Sequence, residues 1–265
     1  MTRIVAGAAG GRTIRVPPAV TRPTSERVRE ALFSLLESRL GGRDGWAGKT
    51  AADLYAGSGA FALEALSRGA AWALAVDSSP AAVRTIQANA AALGLTSRLT
   101  VRRGRVEALV AAPPPPGPGA TGRPARFAAA GSPDGAPDSD GGGGPRAARR
   151  SDAAGPPDDA PGTGGARGPR AVRRVHGPPF DVVFLDPPYD LAWPLAEAVL
   201  TALANPAVAP GAAAAWLADG ALVALERSAR TPAPNWPPGW QSIGNRTYGD
   251  TALHLARVRT GGEAA

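Results

Sequence analysis

The stretch from Phe180 to Asp190, FDVVFLDPPYD, constrains the fold of this chain more than any other. Its apolar and β-branched residues predict a buried strand, and the two prolines that follow Asp186 cannot continue a hydrogen-bonded ladder. In open α/β sheets, ligands bind outside the carboxyl ends of the strands. The sequence therefore predicts a binding loop at the end of a buried strand, with an ordinary proline-rich turn as the alternative.

The loop carries groups that suit an exocyclic amino group on a planar base. The Asp186 carboxylate can accept one amino hydrogen and the carbonyl of Pro187 can accept another, which selects an amine over a carbonyl oxygen. Tyr189 can stack on a base that has been flipped out of its helix. The candidate catalytic residues are therefore Asp186, Pro187, Pro188 and Tyr189.

A second candidate site follows the predicted strand 50–55. The turn Ala56-Gly57-Ser58-Gly59 leads into a helix predicted over 60–67, and its glycines allow the backbone to approach a ligand at the helix N-terminus. Asp77 ends the next strand about 20 residues later, where an acid can hold two ribose hydroxyls. Although the turn lacks the full G-x-G-x-x-G spacing, the two features together indicate a cofactor that contains adenosine.

Strands and helices alternate through most of the chain. A helix starts at an N-cap of Thr24 or Ser25 and stops at Gly41-Gly42, and the last strand contains His254 as a structural residue. Further helices are predicted after Ser79-Pro80 and over 193–204, and further strands over 71–76, 99–101 and 221–225, with a closing antiparallel pair at 243–248 and 251–258. This pattern predicts an α/β fold with a mostly parallel sheet and an antiparallel C-terminal hairpin.

Composition divides the chain into three parts. Residues 1–43 form a basic arm and a helix, and residues 44–110 together with 180–260 form one domain. Between them, residues 111–179 are rich in proline and glycine and poor in large apolar residues. Such a segment cannot bury enough surface to offset the entropy of ordering, so it is predicted to be a disordered insertion.

The positive charge of the chain is concentrated in the arm. The net charge is +7, and residues 1–43 hold eight arginines against three glutamates. This points first to a nucleic acid as partner, with membrane surfaces and acidic proteins as weaker options and a merely solvated basic face as the alternative. The candidate nucleic-acid contacts are Arg3, Arg12, Arg22, Thr24, Arg27 and Arg29.

The chain contains no cysteine and only two histidines, which argues against a disulfide framework, a zinc site and a histidine-based triad. It also has no apolar leader and no run of about 18 apolar residues. These features predict a cytoplasmic protein without a membrane segment or a metal site.

Motifs along the chain resemble the RsmD family, bacterial S-adenosylmethionine-dependent methyltransferases that modify the N2 amino group of a guanine in 16S ribosomal RNA. The resemblance covers nearly everything outside 111–179, and the arm with its arginine-rich helix start is its most specific part. The matching stretches are RIVAG at 3–7, RPTSERVREALF at 22–33, DLYAGSGAFALEALSRGA at 53–70, FLDPPY at 184–189 and RTYGDTAL at 246–253.

The resemblance implies a Rossmann-like class I methyltransferase fold with S-adenosylmethionine as cofactor. The expected partner is 16S rRNA in an assembling or assembled small ribosomal subunit, and the protein is expected to be a monomer. Asp53 would lie near the cofactor's amino group and Asp77 at its ribose, with Asp186, Pro187 and Tyr189 holding the guanine. The cofactor set is completed by Tyr55, Ala56, Gly57, Ser58 and Gly59. Gly104 to Glu107 replace an Asp or Asn that often bonds the adenine, so Glu107 or the backbone would take that contact.

Three other functions stay open at this point. The loop also suits adenine-N6 methylation of DNA and glutamine methylation of proteins. A non-catalytic RNA-binding module that kept the fold is the third alternative, and an intact glycine turn, Asp77 and Asp186 speak against it.

Overall fold

The computed structural model describes residues 1–18, 25–112, 114–115, 179–205 and 215–259. The strands in these ranges are β1 (Thr2–Arg3), β2 (Thr13–Ile14), β3 (Thr50–Leu54), β4 (Trp72–Asp77), β5 (Leu99–Arg103), β6 (Phe180–Leu185), β7 (Leu217–Ser228), β8 (Trp240–Tyr248) and β9 (Thr251–Val258). The α-helices are α1 (Glu26–Leu40), α2 (Ala60–Ser67), α3 (Pro80–Leu93), α4 (Val106–Val110) and α5 (Trp193–Ala204), with 3₁₀ turns at Arg43–Trp46 and Thr96–Arg98.

One sheet runs through the centre of the described part of the chain, in the strand order β5-β4-β3-β6-β7-β9-β8. β3 pairs in parallel with β4 on one side and with β6 on the other. Every residue of β3 is buried, because α1 to α3 pack on one face of the sheet and α4 and α5 on the other. The predicted Rossmann-like α/β fold is confirmed.

The strand order places the two predicted loops side by side. The chain moves outward from β3 through β4 to β5 and then returns to β6 on the opposite side of β3. Such a reversal creates a crevice at the carboxyl edge of the sheet. Leu54 and Leu185 form the last registered pair of β3 and β6, and the N–H of Asp186 donates to the carbonyl of Leu54 at 3.3 Å.

The last three strands confirm the predicted antiparallel end of the sheet. β9 lies between β7 and β8, and it is antiparallel to both. β7 is longer than the predicted 221–225, because its pairing with β9 continues as far as Ser228. His254 is buried in β9, and burial lowers its pKa, which agrees with a structural role.

Two of the helices, α1 and α3, begin at capping residues that the sequence offers. Ser25 accepts the N–H of Val28 at 3.2 Å at the start of α1, and Ser79 accepts the N–H of Ala82 at 3.3 Å at the start of α3. Gly41 ends α1 in the left-handed conformation, with φ +93°.

The basic arm is docked onto α2. The Glu64 carboxylate, fully buried, accepts the backbone N–H groups of Val5 at 2.6 Å and Ala6 at 2.9 Å, and it is paired with Arg68 at 2.8 Å. Gly7 has φ +82°, and a Cβ there would lie 2.0 Å from the carbonyl oxygen of Ser67. Only glycine therefore allows the arm to pass this close to the helix.

Several predicted features lie outside the described residues. They include Arg22, Thr24 and the insertion 111–179 apart from residues 111–112, 114–115 and 179. No helix in the described ranges has the length and apolar character needed to cross a membrane. The same ranges contain no group of three or more His, Asp or Glu side chains arranged to hold a metal ion.

Candidate active site

A cavity of about 800 Å³ lies where β3, β4 and β6 end. It brings together all the predicted catalytic residues and all the predicted cofactor residues except Gly59. Its lining includes Asp53, Tyr55, Ala56, Gly57, Ser58, Asp77 and Gly104 to Glu107 from the first three loops, and Asp186 to Leu191 from the loop after β6. Thr2, Arg29, Leu32, Phe61 and Phe184 complete much of the remaining wall.

The glycine turn after β3 has a backbone that few residues tolerate. Gly57 and Gly59 have φ of +55° and +76°, and a Cβ on Gly59 would approach Ile86 to 3.0 Å. Tyr55 adopts φ +70° without being glycine, a strained conformation that costs on the order of 1 to 3 kcal/mol and is frequent at functional sites. The turn therefore presents bare backbone to the cavity at the start of α2.

Two buried or half-buried carboxylates flank this turn. Asp77 accepts the N–H of Gly57 and the N–H of Ser79, each at 2.8 Å, through its two different oxygens. Asp53 is buried and accepts the N–H of Ala62 at 3.1 Å. Burial, aided by the negative charges of Asp186 and Asp77, raises the pKa of Asp53 to about 7, although the hydrogen bond from Ala62 acts in the opposite direction.

Tyr55 and Glu107 close another side of the cavity. The Tyr55 hydroxyl donates to Oε1 of Glu107 at 3.0 Å. Burial raises the pKa of the Tyr55 hydroxyl, and the charge of Glu107 adds to that effect, so the hydroxyl stays protonated. Glu107 is thus positioned in the cavity and still has lone pairs for a further donor.

The loop after β6 changes from buried to exposed within a few residues. Asp186 is half-buried, Pro187 is buried, and the Tyr189 side chain remains 46% exposed. The N–H of Leu191 donates to the carbonyl of Pro188 at 2.9 Å and closes a turn. Behind the loop, Phe184 stacks on Phe61 with 4.8 Å between ring centroids, which ties the strand to α2.

Two residues at this site were missed by reasoning from the sequence. Asn89 is buried; its Nδ2 donates to the carbonyls of Ser58 and Arg15 at 3.0 and 2.9 Å, which connects the glycine turn with the arm. Arg227 is buried in β7, and its guanidinium donates to the carbonyls of Pro188 and Leu191. Neither residue belongs to a local motif, because each acts on chain that is distant in sequence.

The arm arginines do not form one exposed cluster. Arg3, Arg12 and Arg27 are exposed, with Arg3 paired to Glu26 and Arg12 donating to the carbonyl of Ala92. Arg29, which was also predicted as a nucleic-acid contact, does not share the exposed surface of these three. Arg29 is 2% exposed, donates to Thr2 and to the carbonyl of Arg3, and lines the cavity from within.

Comparison with known proteins identifies the family. The chain matches the model of the family described as conserved hypothetical protein 95 over residues 2–115 and 168–257. The chain belongs to this family. It is the RsmD family that the motifs predicted, and the unmatched residues 116–167 fall inside the predicted insertion.

Relatives of this RsmD-family chain carry names from RNA modification. It is 35% identical over 106 residues to YlbH of Bacillus subtilis (strain 168), covering 40% of this chain and 54% of that protein. It is 39% identical over 92 residues to ribosomal RNA small subunit methyltransferase D of Escherichia coli (strain K12), covering 34% of this chain and 43% of that protein. The matches thus span about half the length of these curated relatives.

A solved structure supports the fold over nearly the whole length of the chain. The Escherichia coli protein yhhF superposes with a TM-score of 0.62 at 23% identity, covering 97% of this chain and 98% of that chain. At this level of identity the likeness establishes the α/β architecture that carries the cavity.

Proposed function

We propose that this protein methylates the exocyclic N2 amino group of a guanine in 16S ribosomal RNA, with S-adenosylmethionine as methyl donor. The observation that carries the proposal is the single cavity that contains both the glycine turn with Asp77 and the loop Asp186–Tyr189. A site for an adenosine-containing cofactor and a site for an amino group on a base thereby share one space. The name of the Escherichia coli relative supports ribosomal RNA of the small subunit as the substrate.

The residues around the glycine turn fit the proposed cofactor. Gly57 leaves backbone open to it, and the Asp77 oxygens keep lone pairs for two ribose hydroxyls after accepting their backbone N–H groups. Asp53 would face the ammonium group, whose positive charge favours the ionised carboxylate. When bound, S-adenosylmethionine supplies an electrophilic methyl group on a sulfonium.

The loop residues would prepare the amino nitrogen for attack. The lone pair of guanine N2 is delocalised into the ring, so the nitrogen is a poor nucleophile. Asp186 and the carbonyl of Pro187 would hold its two hydrogens and turn the lone pair toward the methyl group. The exposed ring of Tyr189 at the cavity rim would stack on the flipped base. No strong base is needed, because the amino proton becomes acidic once the nitrogen carries the methyl group.

The charge distribution favours RNA as the partner. The exposed arginines Arg3, Arg12 and Arg27 belong to the arm that also contributes Thr2 and Arg29 to the cavity wall. Phosphates held by the arm would therefore lie on the same unit as the target base. A protein substrate would not explain the positive charge of this arm.

The test is nucleoside mass spectrometry of unmodified 16S rRNA, free and in small-subunit particles, after incubation with the protein and S-adenosylmethionine. Asp186→Ala tests the loop, and Asp44→Ala, an exposed carboxylate outside the cavity lining, is the matched control. New N2-methylguanosine that Asp186→Ala fails to make and Asp44→Ala still makes would support substrate, product and loop together.

The other outcomes separate the alternatives. N6-methyladenine in a DNA substrate or methylated glutamine in a protein substrate, without methylated guanosine, would replace the proposed substrate and keep the chemistry of the loop. Absence of any product, together with absence of S-adenosylmethionine binding, would overturn the enzyme and favour an RNA-binding module.

A further inference from the structure

Arg227 contacts the loop after β6 from the neighbouring strand. Its Nη1 donates to the carbonyl of Pro188 at 3.2 Å, and its Nη2 donates to the carbonyl of Leu191 at 3.4 Å. These two carbonyls lie on either side of Tyr189, and the N–H of Leu191 closes the same turn on Pro188. One guanidinium therefore bridges the part of the loop that carries the proposed stacking ring.

The fold places Arg227 at this point for a simple reason. The last registered pair of β6 and β7 is Leu185 with Leu225, and β7 continues to Ser228 beyond it. Alternation along the strand puts Arg227 on the same face as Leu225, which is the face covered by α5. The guanidinium carbon lies 5.4 Å from the centroid of the Trp193 ring in α5. Arg227 is thus enclosed between the loop and the helix that follows it.

The surroundings of Arg227 do not resemble those of a residue selected for stability. Its side chain is 4% exposed, and Nε is buried without a hydrogen-bond partner. Burying a charge disfavours folding, and so does burying an N–H donor that has no hydrogen-bond partner. An apolar side chain of similar size would carry neither penalty. Burial lowers the pKa of Arg227, while Tyr189, Asp186 and Tyr55 act in the opposite direction. Of these three groups only the Asp186 carboxylate carries a negative charge at neutral pH, and it lines the cavity.

We propose that Arg227 is a positioning residue, which holds the loop 186–191 so that Asp186 and the carbonyl of Pro187 face the amino group to be methylated. This inference rests on the proposed function. A planar guanidinium can donate along two fixed directions at once, and this is what two carbonyls on opposite arms of a turn require. Lysine would keep the positive charge but would lose the two donor directions that the planar guanidinium fixes.

The role predicts a specific pattern of effects. Arg227→Met removes both loop bonds and keeps most of the volume, so the loop gains freedom while the glycine turn and Asp77, held by their own bonds, do not change. We expect unchanged affinity for S-adenosylmethionine and for RNA, and a single-turnover methylation rate lowered by roughly ten- to a hundredfold, as expected when acceptor groups are misplaced by about 1 Å. Arg227→Lys should recover only part of the rate.

The matched control is Arg246→Met, an exposed arginine on β8 that lies outside the cavity lining. Melting temperatures identify any variant that is simply unfolded, and Arg227→Lys then takes the place of Arg227→Met, because it preserves the charge. Equal methylation rates in Arg227→Met, Arg227→Lys and the wild type would overturn the proposal. So would an equal loss of cofactor affinity and rate, since that result indicates general damage to the fold.

Hydrogen exchange measured by mass spectrometry tests whether Arg227 orders the loop 186–191, and this readout does not depend on enzymatic activity. Peptides that cover residues 186–193 should exchange faster in Arg227→Met than in the wild type and in Arg246→Met, whereas peptides from β3 and α2 should not differ. Unchanged exchange in the loop would overturn the inference even in an active enzyme. A wild-type protein that methylates no guanosine would instead overturn the proposed function, so the two failures are distinguishable.

Discussion

The backbone N–H of Gly57 donates a hydrogen bond to Oδ2 of Asp77 across 2.8 Å. This bond joins the turn after β3 to the end of β4, and Oδ1 of the same carboxylate accepts the N–H of Ser79, the N-cap residue of α3. One side chain thereby fixes the glycine turn and the start of a helix. A carboxylate placed for ribose hydroxyls also sets the shape of the turn that faces the cofactor.

The first prediction concerns this carboxylate. In Asp77→Asn the amide offers one oxygen, and its NH₂ group faces one of the two backbone donors. We expect affinity for S-adenosylmethionine to fall by about ten- to a hundredfold, the equivalent of about 1.5 to 3 kcal/mol for a charge-assisted hydrogen bond. Isothermal titration calorimetry measures it, with the exposed Asp44→Asn as control. Equal affinities in Asp77→Asn and the wild type would remove Asp77 from the cofactor site.

The second prediction concerns the exposed ring at the rim of the cavity. Tyr189→Ala removes a stacking surface, and loss of stacking on one base costs about 1 to 3 kcal/mol. Tyr189→Phe keeps the ring, so kcat/KM for RNA should stay close to the wild-type value while that of Tyr189→Ala falls by about five- to a hundredfold. The measurement uses saturating S-adenosylmethionine. Equal losses in both variants would show that the hydroxyl, and not the ring, is what matters.

Much of this architecture is encoded locally, which is why the sequence predicts it. Ser25 and Ser79 start helices and Gly41 ends one, through contacts within a few residues. The change from apolar strand to Asp-Pro-Pro-Tyr is equally local. Because parallel strands end at a common edge, correct strand assignments are sufficient to bring the glycine turn, Asp77 and the loop together.

The features that the sequence does not reveal depend on contacts between distant segments. From its position near the start of α1, Arg29 is expected to lie on the helix surface, yet the arm crosses over it and buries it. Arg227 reads as one polar residue at the end of an apolar strand, and only the register with β6 places it under the loop. The docking of the arm on the buried Glu64 has no signature either, since the backbone N–H groups that this carboxylate accepts lie some 60 residues earlier in the chain.

The third prediction separates the two arm arginines that lie two positions apart on α1. Arg27 is exposed, so Arg27→Ala should leave the free energy of unfolding within about 0.5 kcal/mol and weaken RNA binding. The slope of log K against log salt should decrease in magnitude by about 0.7 to 0.9, the contribution of one phosphate contact. Arg29→Ala should instead lower the free energy of unfolding by about 1 to 3 kcal/mol, because it removes the part-buried hydrogen bonds to Thr2 and to the carbonyl of Arg3.

Filter binding at several salt concentrations and urea unfolding distinguish these effects. An unchanged salt slope in Arg27→Ala would mean that this side chain is merely solvated. A stable Arg29→Ala protein would contradict the structural role of Arg29.

The fourth prediction concerns the proton on Asp53. Burial raises its pKa from 3.8 to about 7 in the folded protein, so between these values the folded state holds a proton that the unfolded chain releases. Stability from this group is therefore present at low pH and is lost as the pH rises through about 7. Asp53→Asn cannot ionise, and its oxygen can still accept the N–H of Ala62.

We expect the wild type to lose on the order of 2 kcal/mol more than Asp53→Asn between about pH 5 and about pH 8, from 1.36 kcal/mol per pH unit for one proton. Urea unfolding of both proteins at the two pH values gives the difference, and titrating groups that do not interact with Asp53 cancel between them. The exposed Asp44→Asn should follow the wild type. Parallel pH profiles for the wild type and Asp53→Asn would mean that Asp53 is already ionised in the folded protein at about pH 5, and the carboxylate would then lie in a more polar environment than its burial between β3 and α2 implies.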